Sequence, residues 1–408
     1  MMRRRKLGVV LLLPGALFAM LSLVTAEKAS AAYSFSDVDY PGAVWTVAQK
    51  INDSGQIVGY YADTSGVRHG FLLSGGTYTI IDCPSPYTAS SNALGINNLG
   101  QIVGSCSAPG GVNGVYGSTR SFILSGGVLT FLADAPGSYG GASTFAQGID
   151  DSGQIVGFYA DGCLCNGHGF LLSGGIFTTL DVPGFGSTYA RAINNPGEIV
   201  GGTQPTFGGG NEQGFTLNNG IYTNFNDPAT GATSGTEANG INDFGQSVGY
   251  YQDASNVLHG FLLDSGVFSD IDHPNAQLTE ALGINSSGQV VGVYTDLANV
   301  QHGFVTAPPA PTTQIQALIA STLMTNLAAN IQSQLDAKLD AALQTLDAAR
   351  KNSASTAANQ LQAFVNAVTA DVQSGKITCA QATALVTAAQ NVVAALGQPP
   401  LSVSLPCH

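Results

Sequence analysis

Ile51-Asn52-Asp53-Ser54-Gly55-Gln56-Ile57-Val58-Gly59-Tyr60-Tyr61, continued by His69-Gly70-Phe71-Leu72-Leu73 and Asp82-Cys83-Pro84, is a segment that the chain repeats with variation along most of its length. It divides into four short runs, Ala48 to Ile51, Ile57 to Tyr61, His69 to Leu73 and Thr77 to Asp82. Turn signals separate them: Asn52-Asp53-Ser54-Gly55 and Ser74-Gly75-Gly76. The first signal returns at Asn97-Asn98-Leu99-Gly100, Asp150-Asp151-Ser152-Gly153, Asn194-Asn195-Pro196-Gly197, Asn242-Asp243-Phe244-Gly245 and Asn285-Ser286-Ser287-Gly288. Six copies thus recur at intervals of 43 to 53 residues. Four strands per copy at such a period predict a radial β array, a propeller of four-stranded blades.

In each copy the strands can be lettered a to d. Strand a is built from small residues (Ala93-Leu94-Gly95-Ile96, Ala146-Gln147-Gly148-Ile149, Ala190-Arg191-Ala192-Ile193), as the crowded axis of a propeller requires. Lys50 breaks that rule and is expected to project into the central channel. Pro196 cannot take positive φ, so only the Gly that follows need be left-handed in the a–b turn. The sixth copy lacks a strand d. Its match lies at the other end, where Phe35-Ser36-Asp37-Val38-Asp39-Tyr40-Pro41 parallels Phe268-Ser269-Asp270-Ile271-Asp272-His273-Pro274. The N-terminal strand is therefore expected to complete the last blade, closing a six-bladed ring and hiding two sheet edges.

The ends of the chain differ from its middle. Arg3, Arg4, Arg5 and Lys6 precede an apolar run from Leu7 to Ala26 and a small-residue site, Ala29-Ser30-Ala31. Residues 1–31 read as a secretory signal peptide, with an uncleaved anchor as the alternative and no other membrane contact. These residues hold five of the 13 basic side chains and one of the 26 acidic ones, so without them the net charge falls from −13 to −17. Residues 33–311 carry 21 acidic against 4 basic residues, which argues against a nucleic-acid partner. Six cysteines in an exported chain imply disulfides, with Cys83–Cys106, Cys163–Cys165 and Cys379–Cys407 the expected pairs among fifteen pairings.

After Pro308-Pro309-Ala310-Pro311, a stiff linker spanning 308–313, the apolar period changes from two to 3.6. Helices are expected from Ile315 to Leu327, from Ile331 to Arg350, along Leu361, Phe364, Val365, Val368 and Val372, and along Leu385, Ala388, Val392, Val393 and Leu396. Thr378 with Gln381 fits a capping box, and Gly397 ends the last helix before a tail of residues 397–408. The expected fold class is an all-β six-bladed propeller followed by a small all-α four-helix domain.

Across residues 33–307 the pattern I-N-x-x-G-x-I-V-G … H-G-F-L … D-x-P resembles the HAF repeat of extracellular bacterial proteins. That resemblance implies a secreted location and brings no reaction or ligand. Residues 314–396 resemble the FIMAH domain of secreted adhesins, hyaluronidases and mucin-associated proteins. The likeness rests on Leu335-Asp336-Ala337-Lys338-Leu339, on Asn359-Gln360-Leu361-Gln362-Ala363-Phe364-Val365-Asn366 and on Gly375-Lys376-Ile377-Thr378. It implies an accessory or adhesive role; a plain bundle serving as spacer or dimer contact is the competing reading.

Four copies share a Tyr-x-Asp before the b–c turn and a His-Gly-Phe after it: Tyr61, Asp63, His69; Tyr159, Asp161, His168; Tyr251, Asp253, His259; Tyr294, Asp296, His302. Copies two and four lose all three together, with Cys106, Ala108, Arg120 and Thr203, Pro205, Gln213. Joint presence predicts a structural partnership, Asp accepting from the His ring or from turn amides. Asp39, Asp82, Asp134, Asp181 and Asp272 recur at the end of strand d. They lack the dense ligand spacing of calcium loops, so turn capping is expected there. Cys163, Cys165 and His168 offer only three local metal ligands, and a disulfide is the expected state. Three arginines, Arg68, Arg120 and Arg191, without any Asp box make a weak sialidase-like clamp.

No nucleophile elbow, zincin motif, phosphate loop or dinucleotide fingerprint occurs, and no cofactor is implied. The b–c spacing runs from 8 residues in copies one, five and six to 14 in copy two, and b–c and d–a loops emerge on one face. Trp45, Tyr87, Tyr116, Tyr139, Phe185, Tyr189 and Phe207 are the aromatic residues available there for stacking on sugar rings. The leading expectation is a secreted, non-catalytic binding or adhesion protein that engages a glycan or surface protein. A glycan-active hydrolase or lyase using Glu198, Glu212, Glu237 or Glu280, and a purely structural envelope component, are the alternatives.

Overall fold

The structure, a computed structural model, describes residues 33–109, 119–138, 144–161, 166–205, 212–231, 235–264, 266–307, 315, 329–347, 353–403 and 405. The segment 1–31, Tyr116, Tyr139, Phe207, Cys163, Cys165, Cys407 and most of the first expected helix lie outside them.

The chain is mostly β. In copy one, β2 (Trp45–Ile51), β3 (Ile57–Ala62), β4 (Arg68–Ser74) and β5 (Thr77–Ile81) pair in sequence order, all antiparallel. Strand a is longer than its small-residue run suggests, because Trp45, Thr46 and Val47 pair with Ala62, Tyr61 and Tyr60. Copy two repeats the pattern in β6 (Ser90–Ile96), β7 (Ile102–Ser107), β8 (Thr119–Ser125) and β9 (Val128–Phe131). A single parallel bridge, Arg68 to Ser90, joins these two sets into one eight-stranded sheet. The next twelve strands, between Thr144 and Asp270, form three further four-stranded antiparallel sheets.

The last sheet takes strands from both ends of the protein. Here β1 (Phe35–Asp37) pairs antiparallel with β24 (Gln301–Thr306), in register Phe35 to Thr306 and Asp37 to Phe304. Behind β24 lie β23 (Val290–Asp296) and β22 (Ala276–Ile284). Ala307 N donates to Ser34 O, and Phe35 packs edge-on against Phe304 and His273.

Why this sequence makes these sheets can be read from two positions. The Gly of every I-V-G run sits beneath the Phe of the neighbouring H-G-F: a Cβ on Gly59 would come within 3.0 Å of the Phe71 ring and within 2.0 Å of Val47 O. Gly104, Gly157, Gly201 and Gly292 are confined in the same way, and Gly249 by the Glu237 carbonyl, 1.9 Å from where a Cβ would lie. That space lets Phe71, Phe122, Phe170, Phe215, Phe261 and Phe304 bury fully, each contributing roughly 1.5–3 kcal/mol. The core lies between sheets, since one cluster joins Val58 and Ile81 of copy one to Ala93, Ile102 and Phe122 of copy two.

A hydroxyl on strand a holds each d–a loop. Thr46, Ser91, Thr144, Thr188, Thr236 and Thr279 accept from the amides of Tyr40, Cys83, Ala135, Val182, Asp227 and His273 at 2.8–3.1 Å. All six hydroxyl residues are buried, so each satisfies a loop amide that water does not reach. Cys83 and Cys106 form a disulfide between the end of strand d in copy one and strand b in copy two, and Cys379 is disulfide-bonded as well.

Among the described residues three helices follow: α1 (Ala329–Asp347), α2 (Ser353–Gln373) and α3 (Cys379–Ala395). They share one apolar cluster with Leu335, Leu339, Leu361, Phe364, Val368, Leu385 and Val392 at its centre. The capping box is formed: Gln381 N donates to Thr378 Oγ1 at 3.3 Å and Thr378 N to Gln381 Oε1 at 2.8 Å. Gly375 and Gly397 take positive φ where α2 and α3 end.

Candidate functional site

Strand a of every copy lines a common axial channel, and its two mouths differ. At the mouth formed by the a–b turns, Ile51, Ile96, Ile149, Ile193, Ile241 and Ile284 surround a cavity together with the Asn and Asp residues that follow them. The cavity is ≈ 60 Å³, room for water-sized guests and not for a sugar ring. Asn52 Nδ2 donates to Asn97 O, Asn97 to Asp150 O, Asn194 to Asn242 O, Asn242 to Asn285 O and Asn285 back to Asn52 O, at 2.9–3.1 Å. An outer collar alternates acceptors with amides. The Asn98 side chain bridges Asp53 and Asp151, the Asn195 side chain bridges Asp151 and Asp243, and Ser286 N donates to Asp53 Oδ1 at 2.7 Å.

Lys50 blocks the channel between the mouths. Its strand-a equivalents are Gly95, Gly148, Ala192, Gly240 and Gly283, which leave the lumen free for one long side chain. Nζ donates to Asn239 O at 2.7 Å and Leu282 O at 2.6 Å. Burial, helped by the charge of Arg191 and opposed by Glu237, lowers its pKa to about 7.

Above Lys50, toward the b–c and d–a loops, strands a and b gather charged and aromatic side chains around the axis, a half-buried region termed the funnel below. Arg191 Nε donates to Glu237 Oε1 at 2.6 Å, and Tyr250 OH donates to Glu237 Oε2 at 2.6 Å. The Arg191 guanidinium lies 5.5 Å from both the Phe158 and Tyr189 ring centroids. Phe158 in turn stacks on Phe145 at 5.0 Å and meets Tyr189 edge-on at 5.0 Å. On the opposite flank Trp45 packs edge-on against Tyr60, and Arg68 lies 5.5 Å from the Trp45 ring and 5.9 Å from that of Tyr60. Glu280 projects between these groups; burial first, and then the Glu237 charge, push its carboxyl up to about 7. Burial also raises the Tyr60 hydroxyl, which feels Arg68, Glu280 and Arg191 together.

Polar groups are left over in this funnel. Among the described residues neither the Glu280 carboxyl nor the Tyr60 hydroxyl has a hydrogen-bond partner, and Asn92 Oδ1 is buried and unpaired. Buried polar groups ordinarily find partners, so Asn92 Oδ1 marks a place where a ligand or ordered water completes it, while the half-buried Tyr60 hydroxyl and Glu280 carboxyl remain open to one.

Of the loop aromatics expected to bind, the structure brings Trp45 and Tyr189 into the funnel. Tyr87 packs at 5.0 Å on Phe131, and Phe185 on the core of its own sheet, because each sits in a d–a loop that needs an apolar anchor. Glu198 is on the other mouth, held by Asn194 and Asn218, and shares no pocket with Glu212, Glu237 and Glu280. Tyr60, Phe145, Phe158 and Tyr250 escaped the sequence reading because they lie on inner strands, at positions paired across a and b: Val47 with Tyr60, Phe145 with Phe158, Glu237 with Tyr250. The signal was present: Lys50 and Arg191 are the two cations in strands otherwise built of small residues.

The repeated Tyr–Asp–His sets lie outside the funnel. Each His stacks on the Tyr of its own copy, with ring centroids 5.1–5.2 Å apart. Its Nδ1 bonds the strand-d carboxylate: His69 to Asp82 and His302 to Asp39 at 2.7 Å, His259 to Asp272 at 2.8 Å, His168 to Asp181 at 3.0 Å. Its Nε2 faces the b–c turn carboxylate at 3.6–3.9 Å. That second Asp also accepts two turn amides, Ser65 N and Val67 N on Asp63. The strand-d Asp row therefore serves the histidines. In copy two Arg120 replaces His, and its charge acts on Asp134.

These sheets ranged around one channel define a β-propeller fold with a charged, aromatic funnel. No family model matches the chain and no curated protein matches it, so the HAF and FIMAH likenesses rest on the motifs quoted above. Among solved structures the chain is similar to AofleA from Arthrobotrys oligospora, at 13% identity over 68% of this chain and 89% of that one, TM-score 0.41. It is similar to a Trypanosoma rangeli sialidase at 9% identity over 74% of this chain and 62% of that one, TM-score 0.46. A third likeness is to the Aleuria aurantia lectin, at 13% identity over 66% and 93%, TM-score 0.37. At these scores the likenesses bear on neither ligand nor chemistry.

Proposed function

We propose that the protein is an exported, non-catalytic saccharide-binding protein. In this reading residues 33–307 form a six-bladed propeller sealed by the N-terminal strand, and residues 314–396 form a helical domain that adds a second contact or tether. One observation carries it: Trp45, Tyr60, Phe158 and Tyr189 present ring faces and edges around polar groups that have no hydrogen-bond partner among the described residues. Aromatic faces suit the apolar side of a pyranose, and unpaired carboxyl, hydroxyl and amide groups suit its hydroxyls. The Cys83–Cys106 disulfide fits an oxidising location, and no helix among the described residues is long and apolar enough to cross a membrane. A glycan array probed with the whole chain is expected to give hits that Trp45→Ala and Tyr189→Ala each weaken at least tenfold without lowering the melting temperature. A blank array, or hits indifferent to both changes, overturns the reading.

One observation favours a glycan-active enzyme instead. Glu280, its carboxyl pushed up to about 7 by burial and then by Glu237, has the protonation a general acid needs. Against this, both oxygens of Glu237 are engaged by Arg191 and Tyr250, which leaves that carboxylate poorly placed as nucleophile or base. Release of reducing ends from a bound glycan, abolished in Glu280→Gln, would replace the binding reading with the catalytic one.

A further inference from the structure

Lys50 is the one lysine of residues 33–307, and it stands where the other copies have Gly95, Gly148, Ala192, Gly240 and Gly283. The strands touch at this level. A Cβ on Gly95, Gly148, Gly240 or Gly283 would come within 2.8–3.0 Å of the next copy's backbone, so the lumen has room for a single long side chain. What holds the amine is uncommon. Nζ donates to two backbone carbonyls, Asn239 O at 2.7 Å and Leu282 O at 2.6 Å, and among the described residues no carboxylate lies within ion-pairing distance of it. An amine with two acceptors and no counter-ion is best satisfied neutral: both N–H groups are used, and the lone pair points away from the two carbonyls. An ammonium would carry its charge and an unpartnered third N–H into the same place. The lowering of its pKa to about 7 by burial agrees with the neutral form.

The surroundings limit what can reach that lone pair. A cavity of ≈ 50 Å³ adjoins Lys50, walled by Gly95, Gly148, Ala192, Gly240 and the ring of isoleucines. It admits a guest of a few atoms and excludes a sugar, and its apolar wall disfavours an electrophile that must shed a hydration shell. Lys50 is only half-buried, so solvent in the channel touches it. Next to it is a donor that lacks an acceptor. Asn239 is 6% exposed, and its Nδ2 is buried with no hydrogen-bond partner among the described residues. The carbonyl of that same residue is one of the two that Nζ touches, so a group built on Nζ comes within reach of the Asn239 side chain.

We propose that Lys50 is a carbamate-forming site, at which dissolved carbon dioxide adds reversibly to Nζ and an oxygen of the adduct accepts from the Asn239 amide. The Nζ lone pair forms the new C–N bond, one C=O π pair moves onto its oxygen, and one amine proton leaves to channel water. Lys-NH2 and CO2 thereby become Lys-NH-COO⁻ and H⁺, with no further reactant. The N–H that remains keeps one of the two carbonyl bonds. An imine, the product of a small aldehyde, brings no oxygen for Asn239 and leaves no N–H for either carbonyl, so the polar groups present favour carbon dioxide. The solvent that touches Lys50 also hydrates the adduct, so its charge is not sealed from water.

The test equilibrates the whole chain with ¹³C-labelled carbon dioxide, traps carbamates as ethyl esters with triethyloxonium, and maps the labelled peptides by mass spectrometry. Near pH 7 about half of the Lys50 amines are unprotonated, against well under a hundredth at an ordinary lysine, so label on Lys50 is expected to exceed that on Lys338 or Lys376 at least tenfold. At fixed carbon dioxide pressure it should fall as pH drops below 7. Asn239→Ala, which keeps the backbone carbonyl, should reduce it at least threefold with the melting temperature unchanged. Lys50→Met should remove the matching ¹³C carbamate resonance; the peptide map of the unaltered chain decides the question even where that variant does not fold. Label no richer on Lys50 than on Lys338 and Lys376, or label indifferent to Asn239→Ala, overturns the proposal. Formaldehyde fixed on Lys50 by borohydride, with no carbamate there, overturns carbon dioxide as the partner.

Discussion

Lys50 and Glu280 titrate within one funnel and pull stability in opposite directions. The Lys50 pKa is lowered to about 7, so between pH 7 and the ordinary lysine range the unfolded chain holds a proton that the folded chain has shed. Stability should therefore rise with pH across that interval, by up to about 1.4 kcal/mol per pH unit from this group. Glu280, raised to about 7, keeps its proton when folded above the pH at which the unfolded chain loses it, so its contribution falls as pH climbs toward 7. Lys50→Met should flatten the alkaline limb of a stability–pH profile, and Glu280→Gln the acidic one; profiles parallel to the parent's in both variants would refute these assignments. At the same scale the strand-b glycines admit no side chain. Gly201→Ala would put Cβ 1.9 Å from Tyr189 O and 2.8 Å from the Phe215 ring, which should cost about 3 kcal/mol or more in chemical denaturation.

Among elements, the N-terminal strand depends most on its partner. β1 is three residues long and is fastened by its ladder to β24, by Phe35 on Phe304, and by Asp39 on His302. Burial opposes charge on the His302 ring, but the hydrogen bonds and charges of Asp39 and Asp296 outweigh it and raise the pKa. In Asp296 the Val300 amide leads the causes that lower the carboxyl below its ordinary range. The clamp is thus fully made only above the carboxylate range and below the raised histidine pKa, and weakens in either direction. Amide exchange of residues 35–39 should be slowest in that mildly acidic window after correction for intrinsic rates, and Asp39→Asn should remove the dependence. Deleting residues 33–40 should expose the β24 edge and produce concentration-dependent association in light scattering. Reducing Cys83–Cys106, which closes a 23-residue separation, should cost about 3 kcal/mol, read as a lowered denaturant midpoint.

For the whole molecule, the order of strands within each four-stranded sheet was legible because each strand is punctuated. A Gly at positive φ follows every a–b turn, Gly55, Gly100, Gly153, Gly197, Gly245 and Gly288, and a turn of that kind cannot be mistaken for strand. The pairing of Phe35 with the last copy was legible too, since its segment repeats one whose place is known. The funnel was not. Its residues come from all six copies and occupy positions that vary between copies, so no linear motif gathers Trp45, Tyr60, Arg191, Glu237 and Glu280. Likewise His69 could be tied to Asp63 by spacing, whereas its shorter contact, to Asp82 on strand d, depends on how two strands pair.

The turn-side rings show one defect and one rule. Asp150 occupies a position where Asn52, Asn97, Asn194, Asn242 and Asn285 each donate to the next carbonyl, and a carboxylate cannot donate. Asp150→Asn should complete the circle through Asn194 O and stabilise by about 1 kcal/mol, visible as a raised melting temperature; a lower one would mean that the Asp150 contacts to Ser152 and Gln154 matter more. In the outer ring, Asp53, Asn98, Asp151, Asn195 and Asp243 follow one another as acceptor, bridge, acceptor, bridge, acceptor, and Ser286 returns to the start. Such a sequence has parity. Gaining or losing one copy would set two carboxylates side by side, whereas gaining or losing two would preserve the order, so a chain of this kind can change its length smoothly only by even steps.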